Sequence, residues 1–170
     1  RARIIVAARK ELVRHGFAGA RVDRIARMAG TSKERLYFYF SSKSELIKEI
    51  QVEQSLRFQN SVLLDPDNVD DFIGSVFDYY YNNPDDVRIW LWFLLELGDK
   101  SLPDDDPRVE IIEARINSVK AAQAAGAIDP NWDPVLLLNL ISSLAMSRIL
   151  APVYIHELGT KVTGAARKAA

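Results

Sequence analysis

Along this chain of 170 residues, apolar positions recur every three or four residues and no run alternates with period two. That is the pattern of helices, not strands. Ile5, Ala8 and Leu12 share one side of a first helix. Val22, Ile25, Ala26 and Ala29 follow at i, i+3, i+4 and i+7, a single apolar face on a short second helix. Leu36 and Phe40, four apart, mark the inner side of a third; Leu46 and Ile50 mark a longer fourth. Breaks fall where turn-forming residues gather: His15-Gly16, Ala29-Gly30, Ser41-Ser42, Asp65 to Asp67, Asn82 to Pro84, Ser101 to Pro107, Gly126 to Pro134 and Gly159. Between them the spacing predicts helices at 2–15, 22–29, 32–39, 43–62, 68–82, 85–98, 107–125 and 134–157, with a weak one at 160–170. The expected fold class is all-α.

Gly30 supplies the positive φ of a sharp turn. Thr31-x-x-Glu34 and Ser42-x-x-Glu45 have the form of capping boxes, starting the third helix at Thr31 or Ser32. Two short helices joined by a Gly-containing turn match the helix-turn-helix, whose second helix enters the DNA major groove. Tyr37, Phe38 and Tyr39 are consecutive, and successive helical residues stand about 100° apart, so they cannot all face the core. Rings and hydroxyls there suit a sugar-phosphate backbone. Lys33, Glu34 and Arg35 also point largely away from the core.

Charge separates the same segment from the rest. Residues 1–50 hold twelve basic and five acidic side chains, a net +7, so residues 51–170 carry −8. A basic head favours a polyanionic partner. Cysteine is absent, excluding disulfides, thiolate metal sites and cysteine nucleophiles. The two histidines, His15 and His156, leave few general-base or metal schemes. No Gly-rich phosphate loop, His-x-x-x-His pair or ordered Ser/His/Asp set is present, so neither an enzyme nor a cofactor is expected. The acid runs Asp70-Asp71 and Asp104 to Asp106 sit at helix starts or in a Pro-flanked loop, where capping and solvation account for them better than metal binding. Hydrophobic residues, at 48%, are too many for a disordered chain. No stretch of 18 apolar residues survives without a charge or polar break, so no membrane span is expected. The start at Arg1, without Met or a signal-like segment, suggests trimming, and the expected location is the cytoplasm.

From Ile4 to Leu46 the sequence resembles the tetracycline-repressor-like (TetR) transcriptional regulators. The resemblance rests on Ala7-Ala8, Leu12, Gly16-Phe17 and Val22-x-x-Ile25-Ala26-x-x-Ala29-Gly30. It continues through Thr31-Ser32-Lys33 and Leu36-Tyr37-x-Tyr39-Phe40-x-x-Lys43-x-x-Leu46. It implies a helix-turn-helix DNA-binding domain at 1–46 and a helical ligand-binding and dimerisation domain at 47–170. Ser32, Lys33, Glu34 and Arg35 match positions that reach bases or phosphates; Tyr37, Tyr39 and Lys43 match backbone contacts. Two positions depart from the pattern. Arg21 stands where a Thr usually opens the second helix; it can bind phosphate but cannot cap. Glu34 replaces a usually small residue and could accept from cytosine N4 or repel a phosphate.

The resemblance also implies a cavity among the helices of residues 50–125 for a small apolar or aromatic inducer. Phe58, Phe77, Trp90 and Phe93 are the candidate contacts, with residues 88–94 as the expected wall. Residues 134–157 carry apolar side chains on more than one side and the small residues Ser142, Ser143, Ala145 and Ser147, which suits a homodimer seam. Two heads would then read a near-palindromic double-stranded operator with half-sites about 34 Å apart or a multiple of that. The expected function is a ligand-responsive repressor. A helical protein-docking adaptor that has lost its DNA or ligand response is the alternative, disfavoured by the intact Lys33, Arg35 and Lys43.

Overall fold

The computed structural model describes residues 1–97 and 101–151, and every regular element among them is a helix. Eight follow in order: α1 (Ala2–Gly19), α2 (Val22–Met28), α3 (Lys33–Tyr39), α4 (Lys43–Ser61), α5 (Val69–Asn82), α6 (Pro84–Leu97), α7 (Pro107–Ala124) and α8 (Pro134–Leu150). The weak helix expected at 160–170, His156 and Gly159 lie outside the described residues, as do 152–157.

Two apolar cores form. In the first, Ile4, Ile5, Ala8 and Leu12 of α1 meet Ile25 and Ala26 of α2, Leu36 of α3, and Leu46 and Ile50 of α4. The second gathers Phe58, Phe72, Val76, Tyr79, Tyr80, Ala145 and Met146 from α4, α5 and α8. Helix α6 serves both: Ile89 is buried in the first and Val87 in the second, while Phe93 and Trp90 pack against the first and second respectively. An apolar run around a helix buries on more than one side, and here that property makes α6 the wall between the cores.

The regular part of helix α1 ends at His15, as expected. Gly16 breaks it with φ +65° and ψ −175°, and one more turn follows to Gly19, burying Phe17. Helix α8 stops at Leu150, short of the expected 157. Ala151 is extended at φ −68° and ψ 133°, the conformation a residue before proline prefers. The capping boxes are met in part. Ser32, not Thr31, caps α3, accepting from the Arg35 N–H at 3.2 Å. Ser42 caps α4, accepting from the Glu45 N–H at 3.0 Å, but the Glu45 carboxylate reaches back to Ser41 instead of Ser42.

Candidate nucleic-acid interface and ligand cavity

Helix α3 is held by its inner side only. Leu36 is fully buried and Phe40 follows it inside, whereas Ser32, Lys33, Glu34, Arg35, Tyr37 and Phe38 are exposed. Phe38, at 82% exposure, is the extreme. Tyr39 is half-buried against the first core and meets Phe38 edge-on at 5.3 Å. The Lys33 ammonium lies 3.1 Å from Asp23 of α2, and that hydrogen bond raises its pKa. The Glu34 carboxyl is held below its ordinary range by its own backbone N–H and by the Ser32 hydroxyl. Arg35 has no ion-pair partner among the described residues.

The start of α2 is fixed by a residue the sequence reading passed over. Glu11 is only 2% exposed and accepts from the Arg21 N–H at 3.0 Å and from Arg24 Nε at 2.7 Å. Burial alone would raise its carboxyl, but the hydrogen bonds from Arg24 and Arg21 bring it below the usual value. Arg21 is the N-cap of α2 without a side-chain cap, so its own side chain stays exposed. A signal was present: Ile4, Ala7, Ala8 and Glu11 fall at i, i+3, i+4 and i+7, placing the acid on the buried stripe. Lys43, expected at the DNA backbone, directs its ammonium at α1. Nζ donates to the carbonyls of Phe17 (2.8 Å), Ala20 (3.2 Å) and Ala18 (3.5 Å), satisfying groups that a helix end leaves orphaned.

In the body, a cavity of about 150 Å³ opens between α4, α5, α6 and α7. Phe58, Trp90 and Phe93 line it together with Tyr79, Tyr80 and Ile89. Phe77 is not brought to it. On α5 the inward positions are Val76, Tyr79 and Tyr80; Phe77, one residue on from Val76, is 42% exposed beside Tyr81 and Ile149. Of the expected wall 88–94, Ile89, Trp90 and Phe93 face the cavity. Trp92 turns to the joint instead: a Cβ placed on Gly16 would fall 2.8 Å from its ring.

Two polar networks brace the surrounding helices. Asp86, 1% exposed at the start of α6, accepts from Arg9 of α1, from Arg57 of α4 at 3.3 Å and from the Tyr79 hydroxyl at 2.6 Å. Burial and then the Asp86 hydrogen bond push the Tyr79 hydroxyl far above its ordinary range. Asp106 is likewise buried, not solvated as expected; it caps α7 and receives Arg108 through two bonds of 2.8 Å. That guanidinium, against the penalty of burial, holds the Asp106 carboxyl well below the usual carboxylate range. Arg108 also donates to Gln51 at 2.7 Å and lies over the Phe93 ring at 4.9 Å.

A helix-turn-helix head joined through a shared helix to a body with an apolar cavity defines a ligand-responsive, DNA-binding regulator. Residues 4–50 match the family model described as bacterial regulatory proteins, tetR family, and residues 68–170 match the tetracyclin repressor-like C-terminal domain. The chain belongs to the TetR family of transcriptional regulators. It is 34% identical over 152 residues to the HTH-type transcriptional repressor SCO4008 of Streptomyces coelicolor, spanning 89% of this chain and 79% of that protein. The crystal structure of a regulator candidate from the same organism, SCO4942, superposes with a TM-score of 0.76 at 37% identity, covering 98% of this chain and 83% of that one. FadR from Bacillus subtilis, solved in complex with stearoyl-CoA, shares the fold at a TM-score of 0.65 and 18% identity, over 88% of this chain and 87% of its own.

Proposed function

We propose that this chain is a cytoplasmic repressor that binds a near-palindromic operator as a homodimer and releases it when a small apolar or aromatic molecule occupies the body cavity. One observation carries the DNA reading: α3 buries Leu36 and Phe40 while presenting Ser32 to Arg35, Tyr37 and Phe38 to solvent. Large exposed rings beside cations gain from a partner, and the phosphate backbone with its groove supplies one. Residues 1–46 are the head in this reading and 47–170 the body. No described helix is long and apolar enough to cross a membrane.

The switch reading rests on the shared wall. Ile89 and Phe93 touch both the cavity and the first core, so a ligand that moves α6 also moves the head. A ligand releases DNA only by favouring a conformation in which two heads no longer fit successive grooves. The dimer reading rests on α8, where Leu136, Leu140 and Leu144 stand exposed four apart on one stripe. Of the expected seam 134–157, α8 supplies residues up to Leu150.

Selecting bound duplexes from a random pool tests the reading as a whole. The expected product is a site with inverted half-sites centred about 34 Å apart or a multiple of that. Enrichment of no site, or of one without symmetry, would contradict it.

A further inference from the structure

We propose that the body cavity takes a ring-sized organic anion, an aryl carboxylate in class, whose carboxylate pairs with Arg115 while its ring lies among Phe58, Trp90 and Phe93. The proposal rests on the reading that this cavity is the inducer site and narrows it from an apolar molecule to an acidic one.

Among the described residues no Asp or Glu lines the cavity, yet two guanidinium groups do, Arg108 and Arg115 of α7. Seven residues apart, they fall two turns along one helix face. Arg108 is neutralised in place by its paired bonds to Asp106. Arg115 is not. Among the described residues no carboxylate lies within ion-pair distance of it, and its guanidinium rests 4.4 Å over the Phe58 ring. Burial pulls its pKa below the ordinary arginine value, so the positive charge is held there at a cost. The face of an aromatic ring offsets part of that cost. A carboxylate would offset more, because arginine and carboxylate match as planar, two-bond partners. The uncompensated charge, set against a ring on the cavity wall, thus marks where an acidic ligand group belongs.

Size and sign narrow the class further. About 150 Å³ is the space that holds one benzene ring, which leaves a long chain no room without the helices parting. A cationic ligand would meet the uncompensated charge of Arg115 and, among the described lining residues, no acid, and be repelled. A neutral ring would fill the apolar part but leave Arg115 unpaired.

Three probes sharing one ring separate these cases: benzoate, benzamide and benzamidine, titrated calorimetrically into the intact protein and into Arg115→Met, Arg115→Gln and Arg115→Lys. Benzoate should bind at least about tenfold tighter than benzamide, and benzamidine weakest. Arg115→Met and Arg115→Gln should erase the preference for benzoate, and Arg115→Lys should keep part of it. Without ligand, Arg115→Met should melt no lower than the parent, since it removes an unpaired, desolvated charge; a residue kept only for structure would lower it. Arg115→Gln, closer in shape and polarity, carries the test if the Met variant fails to fold. Absence of benzoate binding at millimolar concentration, equal affinity for the three probes, or a preference that survives both neutral variants would overturn the proposal. Repeating the titrations with operator present tests the other reading separately. A benzoate preference that depends on Arg115, with operator affinity unchanged, would sink the switch and leave the anion site standing.

Discussion

At Gly16 the backbone enters a region that only glycine occupies freely, and the missing side chain lets the Trp92 ring lie directly on it. Gly16→Ala therefore meets both strain and a clash with the ring. We expect a loss of about 1–3 kcal/mol in urea unfolding, and unchanged stability would show the joint to be loose. Asp106 gives a pH signature. Its folded pKa lies below the unfolded value of about 3.9, so its stabilisation is complete above that pH and is lost as pH falls toward the folded value. The urea midpoint of the parent should drop on acidification below about pH 4, and less steeply in Asp106→Asn; near neutrality, where the Asp106 contribution is complete, Asp106→Asn should be the less stable of the two, and the gap should narrow as pH falls. Residue roles of this kind were only partly legible. Glu11 and Asp106 are acids that a charge count treats as solvated, and their burial depends on Arg24 and Arg108 arriving to pair with them. Lys43 was legible as a cation near the head but not as a cap on α1, because Phe17 and Ala20 lie more than twenty residues away in sequence.

At the scale of elements, period and punctuation located the helices well, since every start but those of α1 and α2 carries its own side-chain acceptor or proline. Asn68, Asp106 and Asp133 each take a backbone N–H of the helix they open. What spacing could not give is the rotation of a helix that is apolar all round. Residues 88–94 read as one wall, yet Ile89 and Phe93 turn to the first core and Trp90 to the second. Phe77 likewise could not be told from Tyr79 and Tyr80 until α5 was packed. For α8 the same ambiguity becomes a prediction. Its buried side holds Ala145 and Met146, which leaves Leu136, Leu140 and Leu144 for a second copy. Replacing Leu140 and Leu144 together by Asp should halve the mass measured in solution at micromolar protein without lowering the melting temperature of the separated chains. A parent that is already monomeric there would contradict the seam.

For the whole molecule, the question is how head and body are joined. Asp86 is the clearest polar tie, holding Arg9 of α1 together with Arg57 and Tyr79. Arg9 Nη1 is itself buried without a hydrogen-bond partner among the described residues, so removing Asp86 would leave more of this guanidinium unmatched. Asp86→Ala should cost about 3–5 kcal/mol in global stability. A double-mutant cycle with Arg9→Met should show a coupling of at least about 0.5 kcal/mol, where additivity would mean that head and body do not share this pair. The central claim is that α3 reads DNA. It is tested most directly by fluorescence anisotropy of a selected operator and of a random duplex with the parent, Arg35→Ala and Lys33→Ala. The account predicts that Arg35→Ala weakens operator binding by about 1–3 kcal/mol, and the random duplex far less. It predicts that Lys33→Ala weakens operator binding in the same direction. Operator affinity untouched by both changes would contradict it.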